Sequence, residues 1–424
     1  MKLTLKQIRK AILTITLILI SGGVGYWLGT HEIEVKSQKS KVKSLKIVNK
    51  SLPVEKDLDF SLFWQAWARL EEKYLEKEAL DQEKMFYGAI QGMTASLGDP
   101  YTVFLPPEEN KKVKEDLNGS FEGVGIRLGF NKEKRLTVIA PLKGMPAEAA
   151  GVKAGDLILH LRDEQKGIDE DTTSMSLPAA VEKIRGPRGT KIILTLLHEN
   201  ELEPFEAEIV RETIVVPSVE VEFIGAKNAK EDAKDAKKIA HLKLMRFGEL
   251  TGEQWDEAIE KVKSQKSKVK GLILDVRGNP GGYLRGSVNL ASEFLAKGVI
   301  VKQENYKGEI ETYSVNRRGK LLDIPMVVLI DKGSASASEI LAGALQDHQR
   351  AKLVGKQSFG KGTIQESEDL KEGVALHITT AKWLTPNGTW VNEEGLKPDF
   401  EVEDNQETED IDEQLEKAIE ILSQ

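Results

Sequence analysis

The stretch MVVLIDKGSASASEILAGALQD (326–347) decides how this chain is read. MVVLI is an unbroken apolar run, as expected of a strand buried on both faces. GSASASE (333–339) is small and turn-prone, and ASEILAGALQD (337–347) is rich in helix formers. Strand, sharp turn and helix in direct succession form the unit of an α/β domain. A serine on such a turn stands at the sheet edge, beside backbone N–H groups and the positive end of the helix dipole. Ser336-Ala337-Ser338-Glu339 also matches a capping box, in which serine and glutamate satisfy orphan N–H groups. On this stretch alone, both readings stand.

The flanking segments extend the pattern. GLILDVR (271–277), SVNLASEFLA (287–296) and AKLVG (351–355) read as strand, helix and strand, so the region from 239 onward has the texture of stacked β–α units. GNPGG (278–282) ends the first of these strands and presents bare N–H groups suited to an oxyanion, or is simply a tight turn. FGKG (359–362) places Lys361 between two glycines. A lysine acts as a base only when neutral, which from a reference pKa near 10.4 requires desolvation. A surface lysine in a glycine turn is the plain alternative.

Upstream, residues 57–95 have helical spacing, with Phe60, Phe63, Trp64, Trp67, Leu70 and Tyr74, then Met85, Ile90 and Met93; Gly98-Asp99-Pro100 stops that run. From 119 onward short alternating segments surround one helical stretch, MSLPAAVEKIR (175–185), which reads as a small β-rich module. AKNAKEDAKDAKK (226–238), between the alternating VEVEFI and IAHLKL, reads as a solvated excursion at a hairpin tip. The last periodic segment, IDEQLEKAIEIL, places Ile411, Leu415, Ala418, Ile419 and Leu422 on one face, the pattern of a docking helix.

The N-terminus addresses a membrane. Residues 11–30 carry no formal charge and follow Lys2, Lys6, Arg9 and Lys10, and twenty helical residues span about 30 Å, a bilayer's hydrocarbon core. Tyr26 and Trp27 lie where the far interface would be. The reading is an uncleaved signal anchor with an exported remainder, and a cleaved signal peptide ending near Ser21-Gly22-Gly23 competes with it. Residues 31–56 are a polar tether. Within it VKSQKSKVK (35–43) recurs at 262–270, a repeat with no evident physical role.

Taken in order, these pieces resemble the C-terminal processing (tail-specific) serine proteases, over about residues 57–422. FEGVGI (121–126), PAEAAGVKAGDLIL (146–159) and IRGPRGT (184–190) are similar to that family's PDZ module. GLILDVRGNPGG, VVLIDKGSASASEILAGALQD and VGKQSFGKGTIQ are similar to its catalytic core, and GLKPDFEV (395–402) to its closing strand. The resemblance implies a Ser-Lys endopeptidase. It sets the nucleophile on Ser336, the general base on Lys361 and the lysine-orienting glutamine on Gln365, which i,i+4 spacing places beside Lys361 if that segment is helical. It sets the oxyanion donors on the backbone N–H groups of Gly282 and Ala337. Gly123-Val124-Gly125-Ile126 matches the loop that holds a peptide's terminal carboxylate, a peptide adding to the sheet edge as a strand. Arg185 is a weaker candidate, for coupling the PDZ module to the protease, with an exposed helix-end arginine as the alternative.

The implied architecture is multi-domain α/β: an N-terminal helical region (57–112), a PDZ-like β-rich module (113–212), a crotonase-like α/β protease core (213–402) and an acidic tail with a C-terminal helix (403–424). The expected partners are protein or peptide substrates with free, apolar C-termini, the membrane through residues 11–30, and a possible second copy of the chain. No cofactor is expected. The chain has no cysteine, which excludes thiol catalysis, disulfides and Cys-ligated zinc. Its six histidines show no ligand spacing, so no metal is expected and each is read as structural or surface. A net charge of −8, with basic residues concentrated in 1–50 and acids in 399–424, gives no basic face for nucleic acid. Two other classes are weighed: a PDZ adaptor without proteolysis, and a crotonase-type acyl-CoA enzyme. Turnover of a peptide with a free apolar C-terminus, against none of an acyl-CoA, separates them.

Overall fold

The computed structural model describes residues 59–199, 201–225, 238–265, 268–403 and 411–424. The expected membrane segment, the tether and residues 226–237 of the Lys/Ala/Asp insert lie outside them. Among the described residues no helix is long and apolar enough to cross a membrane. The chain divides into two units, 1–86 and 87–424.

In the first unit, helix α1 (Ser61–Lys73) follows Asp59, whose carboxylate accepts the Ser61 N–H at 2.8 Å. Its aromatic residues fall on one face, where Phe63 meets Trp64 at 5.0 Å and Trp67 at 6.0 Å between ring centroids. None of its residues is buried. Helix α2 (Gln82–Ala95) runs across the division and ends before Gly98, at φ +71°, in agreement with the expected stop at Gly98-Asp99-Pro100.

The second unit continues with β1 (Val103–Leu105) and α3 (Pro107–Asn118), a helix with proline in its first turn and left-handed Gly119 at its end. The β-rich module then comprises β2 (Ser120–Gly123), β3 (Ile126–Phe130), β4 (Leu136–Pro141), the short α4 (Pro146–Ala149), β5 (Leu157–Asp163), β6 (Ile168–Asp171), α5 (Leu177–Ile184), β7 (Lys191–Leu197), β8 (Phe205–Val210) and β9 (Glu212–Val215). Its main sheet has the order β3-β4-β5-β7-β8, with β6 beside β5, and β2 pairs separately with β9. Strand alternation builds the core directly: Ile192, Leu194 and Leu196 of β7 are buried with Leu161 and Ile184. Arg211 is fully buried and donates to Asp163 at 2.7 Å and to the Ile184 carbonyl at 2.8 Å, which ties α5 to the sheet.

The core contains β10 (Val219–Gly225), β11 (Lys238–Leu244), α6 (Thr251–Ser264), β12 (Val269–Asp275), α7 (Leu284–Ala291), β13 (Val299–Asn305), β14 (Ile310–Ser314), β15 (Met326–Ile330), α8 (Ala337–Asp347), β16 (Lys352–Gly355), β17 (Thr363–Asp369), β18 (Ala375–Leu384), β19 (Phe400–Glu401) and α9 (Glu413–Ser423). One sheet has the order β10-β11-β12-β15-β16-β19, parallel from β11 onward. Residues of α6, α7 and α8 fill one face around Trp255, Val288 and Ile340. On the other face Ala418 and Leu422 of α9 cover Ile239, Ile273, Val327 and Val354. Each such fully buried aliphatic side chain stabilises the fold by about 1.5–3 kcal/mol.

The expected docking helix, the strand at 326–330 and the helix at 337–347 form as read. The helix expected over 287–296 starts earlier and ends at Ala291, and the closing strand is only two residues long. A second sheet, β1-β18-β13-β14 with β17 on β18, was not anticipated. Residues 361–365 are not helical: Lys361 lies in a loop and Gln365 on β17, because β17 is held antiparallel to β18 by tertiary pairing.

Candidate active site

Ser336 precedes α8 with φ +54° and ψ −114°, a backbone state that a non-glycine residue holds only when its surroundings enforce it. Those surroundings are specific. Gly281 packs so closely that an added Cβ would lie 2.7 Å from the Ala335 carbonyl and 2.9 Å from Ser336 Cβ. Buried Asn279 shapes the GNPGG turn: its side chain donates to the Leu244 carbonyl at 2.8 Å and accepts from the Gly281 N–H at 2.9 Å. Its carbonyl takes the Ala335 N–H at 3.0 Å and the Ser338 hydroxyl at 2.9 Å. Ser334 Oγ donates to the Val276 carbonyl at 2.8 Å. Of the three alternating serines, Ser334 and Ser338 are therefore buried and engaged, while Ser336 is partly exposed. The Ala337 N–H opens the helix and has no intrahelical acceptor.

The Lys361 loop is bonded to the same turn. The Phe359 N–H donates to the Ser334 carbonyl at 3.0 Å. Glu339, wholly buried, accepts four donors: the Ser336 N–H at 2.8 Å, the Ser358 hydroxyl at 2.6 Å, the Gly360 N–H at 2.7 Å and the Lys361 N–H at 3.0 Å. On the far side the Trp383 indole donates to the Lys361 carbonyl at 2.8 Å, and the Trp390 indole to that of Gly362 at 2.9 Å. Burial pushes the Lys361 amine below its ordinary value, against the opposing charges of Asp99 and Glu339. Its Nζ lies 4.7 Å from the centre of the Tyr101 ring. A partly desolvated amine and a serine at a helix N-terminus thus lie on two loops that one buried carboxylate bonds together.

Gln365 does not bond to Lys361; its amide donates to Thr363 and Thr379, each at 3.0 Å. Gly282, at φ +136°, lies against the Phe247 carbonyl, so no other residue fits there. Asp275 and Arg277 brace the strand leading into this turn. Burial raises the Asp275 carboxyl, but hydrogen bonds from His241 and Arg277 outweigh it and bring it down to about 2. Arg277 also grips Asp412, the N-cap of α9, at 2.8 Å and 2.9 Å.

The four loop residues of the β-rich module sit apart from this centre. Gly123 ends β2, Ile126 begins β3, and Val124 is buried with its carbonyl taking the Ala147 N–H at 2.9 Å. Gly125, at φ +76°, would place a Cβ 2.4 Å from Met145 Cβ. β3 is an edge strand and α5 packs beside it, leaving one strand edge for an added peptide. Arg185 is not a free helix-end residue: its guanidinium stacks 4.1 Å over Phe121 and pairs with Glu115 of α3 at 3.2 Å.

Sequence reasoning missed Asp99, Tyr101, Thr379 and Asn279, and saw Glu339 only as a capping residue. The i,i+3 pattern was visible; its partners some twenty residues downstream carried no local signal.

Comparison with known proteins bears on both sites. The sequence matches the family models Peptidase family S41 over residues 238–402, PDZ domain over 112–197 and Activating protease CtpB N-terminal domain over 18–109. It is 35% identical to the Carboxyl-terminal-processing protease of Synechocystis sp., over 87% of this chain and 81% of that protein. It is 34% identical to the Carboxy-terminal processing protease CtpA of Bacillus subtilis, over 82% of this chain and 70% of that one. A putative S41 protease from Bacteroides fragilis shares the fold at a TM-score of 0.55 and 16% identity, covering 88% of this chain and 99% of that one.

Proposed function

This chain belongs to the carboxyl-terminal processing proteases of peptidase family S41, and from that premise we propose that it is a membrane-anchored, exported endopeptidase that uses Ser336 and Lys361 to cleave substrates chosen by their free C-termini. The observation that carries this reading is the half-buried Lys361, held by its loop against the turn that bears Ser336.

In this mechanism neutral Lys361 takes the Ser336 hydroxyl proton as Oγ attacks the scissile carbonyl carbon. The N–H groups of Gly282 and Ala337 receive the developing oxyanion. The Lys361 ammonium returns its proton to the leaving amine, the C–N bond breaks, and an acyl-enzyme on Ser336 remains. Water then attacks that ester with Lys361 again accepting a proton, the C–O bond to Ser336 breaks as that proton passes to Oγ, and the carboxyl product leaves with the serine and the neutral lysine restored. Gln365 acts through Thr379 rather than by touching the amine.

The β-rich module, assigned to 113–212, takes the substrate's terminal carboxylate at Gly123–Ile126 and its strand along β3, with Arg185 joining the module to the preceding helix. The protease core occupies 213–402. The charge-free run at 11–30 behind four basic residues supports the anchor and export. A second copy of the chain is part of the same reading.

The test is a serine series on a model protein with an apolar tail. Ser336→Ala abolishes fragment formation, while Ser334→Ala and Ser338→Ala keep part of it and lose about 1 kcal/mol of stability each, through a lost buried hydrogen bond. A folded Ser336→Ala protein with wild-type turnover overturns the assignment.

A further inference from the structure

The loop Asp99–Thr102 was read only as the stop after a helix, yet it forms a wall of the lysine site. The Asp99 carboxylate accepts the Tyr101 N–H at 3.0 Å and the Thr102 hydroxyl at 2.7 Å, so the loop is folded around it. The Thr379 N–H donates to Thr102 Oγ at 3.0 Å, and the Thr379 hydroxyl bonds to Asp99. Gln365 donates to Thr379 Oγ at 3.0 Å. A continuous chain of hydrogen bonds therefore runs from Gln365 through Thr379 to Asp99. From the same loop the Tyr101 ring lies under Lys361, with Nζ 4.7 Å from its centroid. β1 pairs with β18 immediately after this loop, Val103 opposite His377, which fixes its height above the sheet.

We infer that Asp99 and Tyr101 are positioning residues for Lys361: the ring carries the amine on its face, and the Asp99 carboxylate supplies the opposing charge and, through Thr379, the orientation of Gln365. The inference rests on Lys361 as the base. A ring face and a nearby carboxylate both favour the ammonium form. They work against the burial of the site, which favours the amine. Opposed influences of this kind suit a group that must both accept a proton from the serine and hold one for the leaving amine. The hydrogen bonds that Asp99 accepts outweigh its own desolvation and keep it ionised. The other titratable groups around the amine are Glu339 at the start of α8 and His377 on β18, whose imidazole burial and the nearby amine push toward the neutral form, with Glu393 beyond the Tyr101 ring.

The experiment follows the ionisation of Lys361 directly, in the full chain with ¹³Cε-labelled lysine, the signal being the one absent from Lys361→Arg. Asp99→Asn keeps the loop's shape and removes the anion, so the Lys361 midpoint moves to lower pH. Tyr101→Leu moves it in the same direction and lowers kcat by about tenfold through loss of position. Tyr101→Phe restores the midpoint and most of kcat. Unchanged midpoints in folded Asp99→Asn and Tyr101→Leu proteins overturn the inference. The pH profile of kcat/KM is recorded alongside. If the midpoints move and the acid limb of the profile stays fixed, the wall is real and Lys361 is not the base. His377→Gln removes the neighbouring imidazole and leaves the Lys361 midpoint below that of the bulk lysines.

Discussion

The backbone N–H groups of Ser336 and Lys361 donate to the same oxygen of Glu339, at 2.8 Å and 3.0 Å. The other oxygen takes the Ser358 hydroxyl and the Gly360 N–H. One buried carboxylate therefore fixes the distance between two loops that the sequence separates by a helix and a strand. A carboxylate can do this because it is acceptor-only, with lone pairs for four donors.

Glu339→Gln follows from that arithmetic. An amide has one acceptor oxygen, and its NH₂ faces two donors across a buried gap. The variant loses about 1–3 kcal/mol of stability and most of its turnover, with both loops displaced. Peptide-cleavage assays and urea titration in parallel check it. A Glu339→Gln protein with wild-type kcat shows that the two loops hold their places without the carboxylate.

Lys361→Arg retains charge and length but cannot give up its proton, so it is as inactive as Lys361→Ala. In the wild type kcat/KM rises with pH through the lowered Lys361 value. The same shift acts on stability. Its pKa is lower in the folded chain than in the unfolded one, so between the two values the unfolded state binds more protons, and stability rises with pH across that window. Lys361→Met removes a charge that folding desolvates, and it raises the thermal midpoint at neutral pH while abolishing turnover. A Lys361→Met midpoint below wild type contradicts the burial argument, and wild-type turnover in Lys361→Arg contradicts the base.

Gly125→Ala tests the carboxylate loop. A side chain at φ +76° and within 2.4 Å of Met145 strains the loop, at a cost of about 1–3 kcal/mol. Peptide binding weakens in this variant, and amidating the peptide's C-terminus weakens binding to the wild type in the same way, since the nest of N–H groups then meets no charge. Titration calorimetry with free-acid and amidated peptides reads both effects. Equal affinity and equal cleavage of the two peptides rule out selection by the terminal carboxylate.

What the sequence made legible follows the range of the forces involved. The strand at 326–330 and the helix from Ala337 are local patterns, an apolar run and a capped helix-forming run, and both form as read. Gln365 shows the limit. The i,i+4 spacing from Lys361 has meaning only on a helix, and pairing with β18 makes this segment a strand, so its amide meets Thr379 instead. Asp99 and Tyr101 stop a helix by local chemistry. Their second task depends on β1 joining a strand more than 250 residues away, which no window of sequence displays. β18 itself, ALHITTAKWL, is only partly buried along most of its length and lacks the clean alternation that would announce it.

Arg277 holds Asp275 on one side and Asp412 on the other. Here the final helix is pinned at its start by Arg277 on Asp412, and Leu422, two residues from the end, is buried against the sheet. Ala418 and Leu422 are thereby committed to the core. The guanidinium that braces the strand before the GNPGG turn thus also seats the last helix on the sheet, so a change at either carboxylate reaches both the turn and the helix.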